Sequence, residues 1–358
     1  MEKLSLCMIV KNEQDVLERC LKSVKDFVCE IIIVDTGSTD NTKQIAQKFT
    51  NKVYDFKWEN NFSKARNFSF SKATCPYILW LDADDVIEPE QFKNWQNLIQ
   101  NFYNADVIML PYDLAFDKNN QSTFFCYRER IVKNNGKFLF TDPVHEVIIP
   151  SGKIIYQKAR ISHRKTHANT PQRNLKIYRN LKKQGVVFSP RQQYYYAREL
   201  YFNGYTKMAK NALNKFIEQK QGWSENLVDA CILKSFCHQK LNQKDLQLKS
   251  LLNAFLFDKP RADVCCEIGN YFIENKNYLS AVFWFENALK VQYAGSGFIQ
   301  KDYLDFTPSL QLCLCYYHLQ KPKMAYEFHK LCKALKPNHP AVINNENFFK
   351  NLILNGKI

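Results

Sequence analysis

Apolar residues in the first half of the chain come as short, nearly unbroken runs, each followed by polar turn residues and a stretch of helical spacing. Leu4-Ser-Leu-Cys-Met-Ile-Val10 and Glu30-Ile-Ile-Ile-Val34 read as strands buried on both faces. Between them, residues 13–27 place Val16, Leu17, Cys20, Leu21 and Val24 on one helical face, which makes a βαβ unit. The next turn, Asp35-Thr-Gly-Ser-Thr-Asp-Asn-Thr42, has Gly37 for a tight bend and Ser38 or Thr39 to cap a helix reaching Phe49. Further strands are expected at 53–54, 77–81, 105–110, 122–130 and 137–140, the later ones in a mixed sheet. The pattern predicts an α/β fold over about the first 160 residues, with ligands held at the strand ends.

From Pro190 onward helical periodicity takes over, and small and aromatic residues recur at repeat-like spacing. Ala254 and Ala288 lie one repeat apart. Ile268-Gly269, Tyr271-Phe272, Tyr278 and Ala281 fit the tetratricopeptide pattern, and residues 200–209 and 319–325, with Pro260 and Pro337 at pair boundaries, fit it more loosely. This half resembles about four degenerate tetratricopeptide repeats, with helical pairs lacking a true repeat as the alternative. Gly295-Ser-Gly297 marks a loop inserted between pairs. The expected organisation is an α/β domain over 1–165, a basic helical linker over 166–189 and an all-α domain over 190–358.

Chemistry enters at the end of the fourth predicted strand, where Leu81-Asp-Ala-Asp-Asp85 crowds three carboxylates that repel unless a cation lies among them. Oxygen ligands suit Mn²⁺ or Mg²⁺, whose shells are commonly completed by water and substrate phosphates. Asp82 and Asp84 are the candidate ligands and Asp85 a supporting acid. The competing reading is a helix start, with Pro89 in the first turn and the acids at its positive end. An EF-hand loop fits poorly, because Ile87 and Lys93 fall where glycine and glutamate belong. Arg128 and Arg130 alternate along a strand and so point to one face, either toward phosphates or an acceptor, or as ordinary basic residues of an edge strand.

The formal charge of +15 implies an anionic partner such as a nucleoside diphosphate, an acidic peptide or an anionic membrane surface. No motif that reads nucleic acid accompanies it, so nucleic acid is not expected. Neither GxxxxGK[ST] nor GxGxxG occurs, which leaves a carboxylate-held metal to neutralise a diphosphate. The 12 cysteines include no CxxC and read mostly as reduced packing residues. The opening apolar run is too short to span a bilayer and lacks a charged leader, the pattern of a cytoplasmic protein.

Four features stand in fixed order: Lys11-Asn12-Glu13 after the first strand, Asp35 after the second, Arg66-Asn67 before the fourth, and Asp82 with Asp84 at its end. Together they resemble glycosyltransferase family 2, whose GT-A fold lays a nucleotide-sugar across the strand ends. The resemblance covers roughly the first 165 residues. It implies that Asn12, Glu13 and Asp35 line the donor site, with Asp35 against the uridine. It further implies that Arg66 contacts base or diphosphate, that Asp82 faces the ribose, and that Asp84 holds the metal with Asp82 and His163. A carboxylate accepts from ribose hydroxyls or a base N–H, and arginine donates to phosphate, which agrees with those roles.

Downstream, Thr141-Asp-Pro-Val-His-Glu146 and Ile161-Ser-His-Arg-Lys-Thr-His167 add two histidine clusters. An inverting transfer needs a base for the acceptor's proton; Glu146 is the choice, with His145 as the other candidate and a salt-bridged glutamate beside a packed histidine as the structural reading. His167 has no counterpart. A closer likeness is to the sublancin-type peptide S-glycosyltransferases, through Trp58-Glu-Asn-Asn-Phe-Ser-Lys-Ala-Arg66-Asn67, Arg128, Gly136-Lys-Phe, Val144-His-Glu146, His163 and Arg173-Asn174. It implies a metal-dependent hexosyltransferase that moves sugar from a UDP-sugar donor to a peptide or protein acceptor, such as a cysteine of a small bacteriocin-like peptide. Transfer to a cell-envelope glycan or lipid is the rival enzyme reading, and a non-catalytic interaction scaffold the rival of another class. An open helical array would also support a homodimer.

Overall fold

The computed structural model describes residues 4–101, 104–117, 120–166, 172–292, 299–356 and 358. His167 and the Gly295-Ser-Gly297 loop lie outside them. The chain forms two compact units, the first running to Val186 and including Ile299, the second taking up the rest from Val187. No helix among the described residues is long and apolar enough to cross a membrane.

The first unit is a mixed sheet with helices packed on it. Its elements run β1 (Leu4–Val10), α1 (Leu17–Val24), β2 (Glu30–Asp35), α2 (Thr42–Gln47), β3 (Val53–Asp55), α3 (Phe62–Phe70), β4 (Tyr77–Trp80), β5 (Asp85–Val86) and α4 (Phe92–Gln100). They continue with β6 (Val107–Phe116), β7 (Ser122–Lys133), β8 (Phe140–Thr141), β9 (Val147–Ile148), β10 (Ile154–Tyr156), β11 (Ile161–His163) and α5 (Arg173–Lys183). The strand order is β3-β2-β1-β4-β7-β6-β11-β5, with β10 joined to β6 and a separate β8-β9 pair. Strands β1 to β4 are mutually parallel where they pair, and β7 turns the sheet antiparallel against both β4 and β6.

Two cores explain why β1 and β2 are mostly apolar on both faces. Leu4, Leu6, Met8, Val10, Ile31 and Ile33 serve one face, while Cys7 and Ile32 serve the other with Trp80, Val132 and Phe140. In this parallel register Val10 stands beside Asp35, so the loops that follow both strands emerge at one edge.

Several expectations change in detail. The first helix is shorter than 13–27, closing in a 3-10 turn at Lys25–Phe27. The second begins at Thr42 without a cap from Ser38 or Thr39, because both bond instead to Asn12. Residues 137–139 are not a strand, and only Phe140–Thr141 pairs. β7 lies between β4 and β6, so Arg128 and Arg130 are not on an edge strand. Ten cysteines are buried thiols, and the sulfurs of Cys29 and Cys75 lie beside each other, a proximity that no spacing announced.

The second unit is helical. Its pairs are α6 (Pro190–Phe202) with α7 (Thr206–Gln219), α8 (Ser224–Lys240) with α9 (Lys244–Leu252), α10 (Ala262–Glu274) with α11 (Tyr278–Lys290), and α12 (Phe306–His318) with α13 (Pro322–Leu335). A final helix, α14, spans Pro340–Leu354. Ser189 and Gln192 form a capping box at the start of α6, and Pro190 occupies its first turn. Gly269 lets α10 approach α11, since a Cβ there would lie 2.6 Å from the Phe285 ring.

Candidate active site

The turns after β1 and β2 are stapled together by side chains. Asn12, with φ +55°, donates its backbone N–H to Ser38 Oγ at 2.9 Å, and its Oδ1 accepts from Thr39 N at 2.8 Å. Glu13 donates its backbone N–H to Thr42 Oγ1 at 2.7 Å. Asp35 closes the same turn: its Oδ1 accepts from the N–H groups of Gly37 and Ser38, both at 2.8 Å. Gly37 has φ +104°, which is why glycine stands there. Asp35 Oδ2 is buried and has no hydrogen-bond partner among the described residues, an arrangement a ligand's donor group would relieve.

Arg66 projects from α3, whose N-terminus Asn61 caps through Lys64 N at 3.0 Å. Its guanidinium is buried near the Trp80 and Phe140 rings. Nε donates to Glu146 Oε1 at 2.8 Å and Nη2 to Asp82 Oδ1 at 2.6 Å. One cation thus ties the acid at the end of β4 to the acid that precedes β9. Burial opposes ionisation of Asp82, but the charges of Arg66 and Arg130 outweigh it and hold this carboxyl well below the usual range.

The remaining acids gather around His163 at the end of β11. Asp85 is fully buried: Oδ2 accepts from Asp82 N at 2.9 Å, Oδ1 from the Tyr112 hydroxyl at 2.9 Å, and Arg130 Nη1 pairs with it at 3.1 Å. His163 Nδ1 lies 2.8 Å from the Tyr112 hydroxyl, 3.3 Å from Asp85 and 3.4 Å from Asp84. Asp84, Asp85 and His163 each offer one donor atom within 4.8 Å of the others. Two carboxylate oxygens and an imidazole nitrogen fit a divalent cation.

The electrostatics agree with such a fit. Burial and the neighbouring Asp82 and Asp85 push Asp84 up against the lowering effect of His163. Burial alone would depress His163, yet the Asp85 hydrogen bond and the surrounding aspartates raise it. Glu13 is raised to about 7 by burial and by Asp84, Asp82 and Asp40, so it lies within the same field.

Asp84 and His163 are therefore together as expected, whereas Asp82 turns to Arg66 and Asp85 stands in the cluster. Arg128 and Arg130 do share a face, both lying over the Trp80 ring, at 5.1 and 3.9 Å. Arg130 is wholly buried between Trp80 and Tyr112, and Arg128 pairs with Glu129 at 3.2 Å. His145, at φ +54°, stacks on Tyr178 of α5. Sequence reasoning missed Tyr112 and Trp80. Trp80 carried a signal as a polar-tipped aromatic in a strand read as core, whereas Tyr112 lay beyond the expected strand 105–110, which extends to Phe116.

Residues 5–159 match the family Glycosyl transferase family 2. They form a glycosyltransferase family 2 domain. Among curated relatives, a TPR repeat-containing protein of Synechococcus elongatus is 35% identical over 153 residues, which are 41% of this chain and 36% of that protein. Glycosyltransferase SunS of the Bacillus subtilis SPbeta prophage is 33% identical over 143 residues, 39% of this chain and 33% of SunS. The lipopolysaccharide core biosynthesis glycosyltransferase LpsC of Rhizobium meliloti is 26% identical over 163 residues, 42% of this chain and 58% of LpsC. The chain thus spans about a third of the length of the first two relatives.

Proposed function

We propose that the protein is a cytoplasmic, metal-dependent inverting glycosyltransferase that moves a sugar from a UDP-sugar to an acceptor. The observation that carries this reading is the convergence at one end of the sheet of Asp35, with its unpartnered buried oxygen, the Asp82-Arg66-Glu146 bridge, and the Asp84, Asp85 and His163 group. Asp35 Oδ2 accepts from the donor's base or ribose. Asp84, Asp85 and His163 would hold Mn²⁺ or Mg²⁺, which would neutralise the departing diphosphate. Glu146 takes the acceptor's proton as the acceptor atom bonds to the anomeric carbon, and the bond from that carbon to the diphosphate oxygen breaks with its electron pair leaving on UDP. Glu146 is preferred to His145 because it joins Asp82 through one guanidinium, while His145 packs on Tyr178.

The motif resemblance to the sublancin-type peptide S-glycosyltransferases favours a peptide acceptor, including a cysteine thiol; likeness to LpsC, a lipopolysaccharide core biosynthesis glycosyltransferase, is the ground for a second reading, transfer to an envelope glycan. Incubation with Mn²⁺, a panel of UDP-sugars and either a cysteine-containing peptide or an envelope glycan as acceptor, read by mass shift, tests both. Asp84→Ala should abolish metal-dependent turnover, and Glu146→Gln should lower transfer at least ~100-fold while UDP still binds by calorimetry. Near wild-type transfer by Glu146→Gln would move the base elsewhere; metal-dependent transfer by Asp84→Ala would overturn the metal assignment.

A further inference from the structure

The helical unit contains a pocket of about 200 Å³. The first helix of three successive pairs contributes one face to it: Tyr194 and Arg198 from α6, Asp229 and Phe236 from α8, Asp263 and Glu267 from α10. The spacings of four and seven residues are those of a single helical face. The helix pairs therefore supply most of the pocket, and Gln300 and Tyr303 of the segment before α12 complete it.

Its charge runs against that of the chain. Asp229, Asp263 and Glu267 line it against Arg198, the one lining cation among the described residues, in a protein of formal charge +15; Glu225 and Arg261 lie behind that lining, paired with each other and with Asp229 and Asp263. Arg261 is committed: its guanidinium pairs with Glu225 at 2.6 Å, Asp229 at 2.9 Å and Asp263 at 2.5 Å. Tyr194 also donates to Asp229 at 3.3 Å. Glu267 differs. Among the described residues its partners are neutral, the Tyr303 hydroxyl at 3.1 Å and Asn270. Burial raises it, as expected of a carboxylate that lacks a cation.

We propose that this pocket binds the side chain of a lysine or arginine from an extended peptide, the cationic head meeting Glu267 and the methylene stem lying along Phe236. A carboxylate with neutral partners supplies the attraction, and the aromatic and aliphatic lining matches a side chain that is apolar along its stem and charged at its tip. A bare metal ion would not use the apolar wall, and an acidic ligand would face an excess of carboxylates. The binding stands without sugar transfer. That the bound peptide is the acceptor rests on the proposed function.

The test uses the full chain and four acetylated, amidated nine-residue peptides with lysine, arginine, norleucine or glutamate at the centre, titrated by calorimetry at about 0.15 M salt to screen the overall charge. The lysine and arginine peptides should bind at least tenfold more tightly than the norleucine peptide. Glu267→Gln, which can keep its bond with Tyr303, should remove that preference. Arg198→Ala should leave it intact or sharpen it, and serves if Glu267→Gln fails to fold. Equal binding of all four peptides, preference for the glutamate peptide, an unchanged preference in Glu267→Gln, or loss of preference in Arg198→Ala would each overturn the proposal. UDP titrated into the same samples reports the other unit. A lysine peptide that also carries a cysteine, and that binds but receives no sugar when incubated with Mn²⁺ and the UDP-sugar panel, would count against the proposed reaction and leave the pocket standing.

Discussion

Arg66 shows how far a residue's role can be read before its surroundings are known. Its importance was legible in the Ala-Arg-Asn motif, but the expectation assigned it to base or diphosphate, and here its donors go to Asp82 and Glu146, 16 and 80 residues away in sequence. No local spacing reports such a meeting; only the parallel sheet that brings α3, β4 and the segment before β9 together does. Removing the guanidinium would leave two carboxylates facing each other in a largely buried place. Arg66→Met should therefore lower stability by about 3–5 kcal/mol in urea unfolding, and Arg66→Lys by less. Glu30 provides the pH-dependent counterpart. It accepts from Thr74 N at 2.6 Å, from Ser5 and from Lys52, and although burial opposes ionisation these partners hold it at about 2. A carboxyl lowered on folding adds stability that is complete above its unfolded value and lost as pH falls through the folded one. Glu30→Gln should thus cost on the order of 3 kcal/mol at pH 7. The gap from wild type should close between about pH 4.5 and 2; a gap independent of pH would show that the carboxylate's charge is not what matters.

At the scale of elements, strands announced by long apolar runs were readable, whereas of the described strands of two or three residues in the sheet unit only β3 and the start of β8 were anticipated. β1, β2 and β4 are buried on both faces, so apart from Ser5 and the acids at the two ends of β2 their positions are apolar and the run itself is the signal. β5, β9 and β11 are too short for any periodicity, yet β5 and β11 carry Asp85 and His163 of the candidate metal group. This is why Asp85 entered the sequence reading only as a supporting acid. In the helical half the legible feature was the small residue that permits close packing. The α10-α11 contact tests it: a Cβ at position 269 would press on the Phe285 ring, which is fully buried and has nowhere to retreat. Gly269→Ala should destabilise the helical unit by about 1–3 kcal/mol in thermal unfolding. Adding Phe285→Leu should recover part of that loss, because the double variant restores volume to the contact; no recovery would place the cost in the helix backbone.

On the scale of the whole molecule, each unit has a core of its own. The sheet packs Leu6, Ile33, Leu79 and Leu110 on one face and Cys7, Ile32 and Val132 on the other, while the helical pairs bury Cys266, Phe285, Leu312 and Cys315. The change of texture near Pro190 was visible because a sheet core and a helix-pair core impose different periods on the chain. The residues proposed to handle the donor all lie before Val187, and the pocket proposed for a cationic side chain lies entirely after it. These placements separate two properties that a single active site would keep together. A chain ending at Val186, provided circular dichroism shows it folded, should bind UDP within about threefold of the full protein yet lose most peptide turnover, because positioning of the acceptor contributes far more to rate than a shift of this size. Hydrolysis of the UDP-sugar by water, which needs no peptide, should persist. Equal peptide turnover by the two proteins would place acceptor recognition in the sheet unit and assign the helices another purpose; loss of UDP binding from a folded first unit would mean that the donor site needs residues beyond Val186.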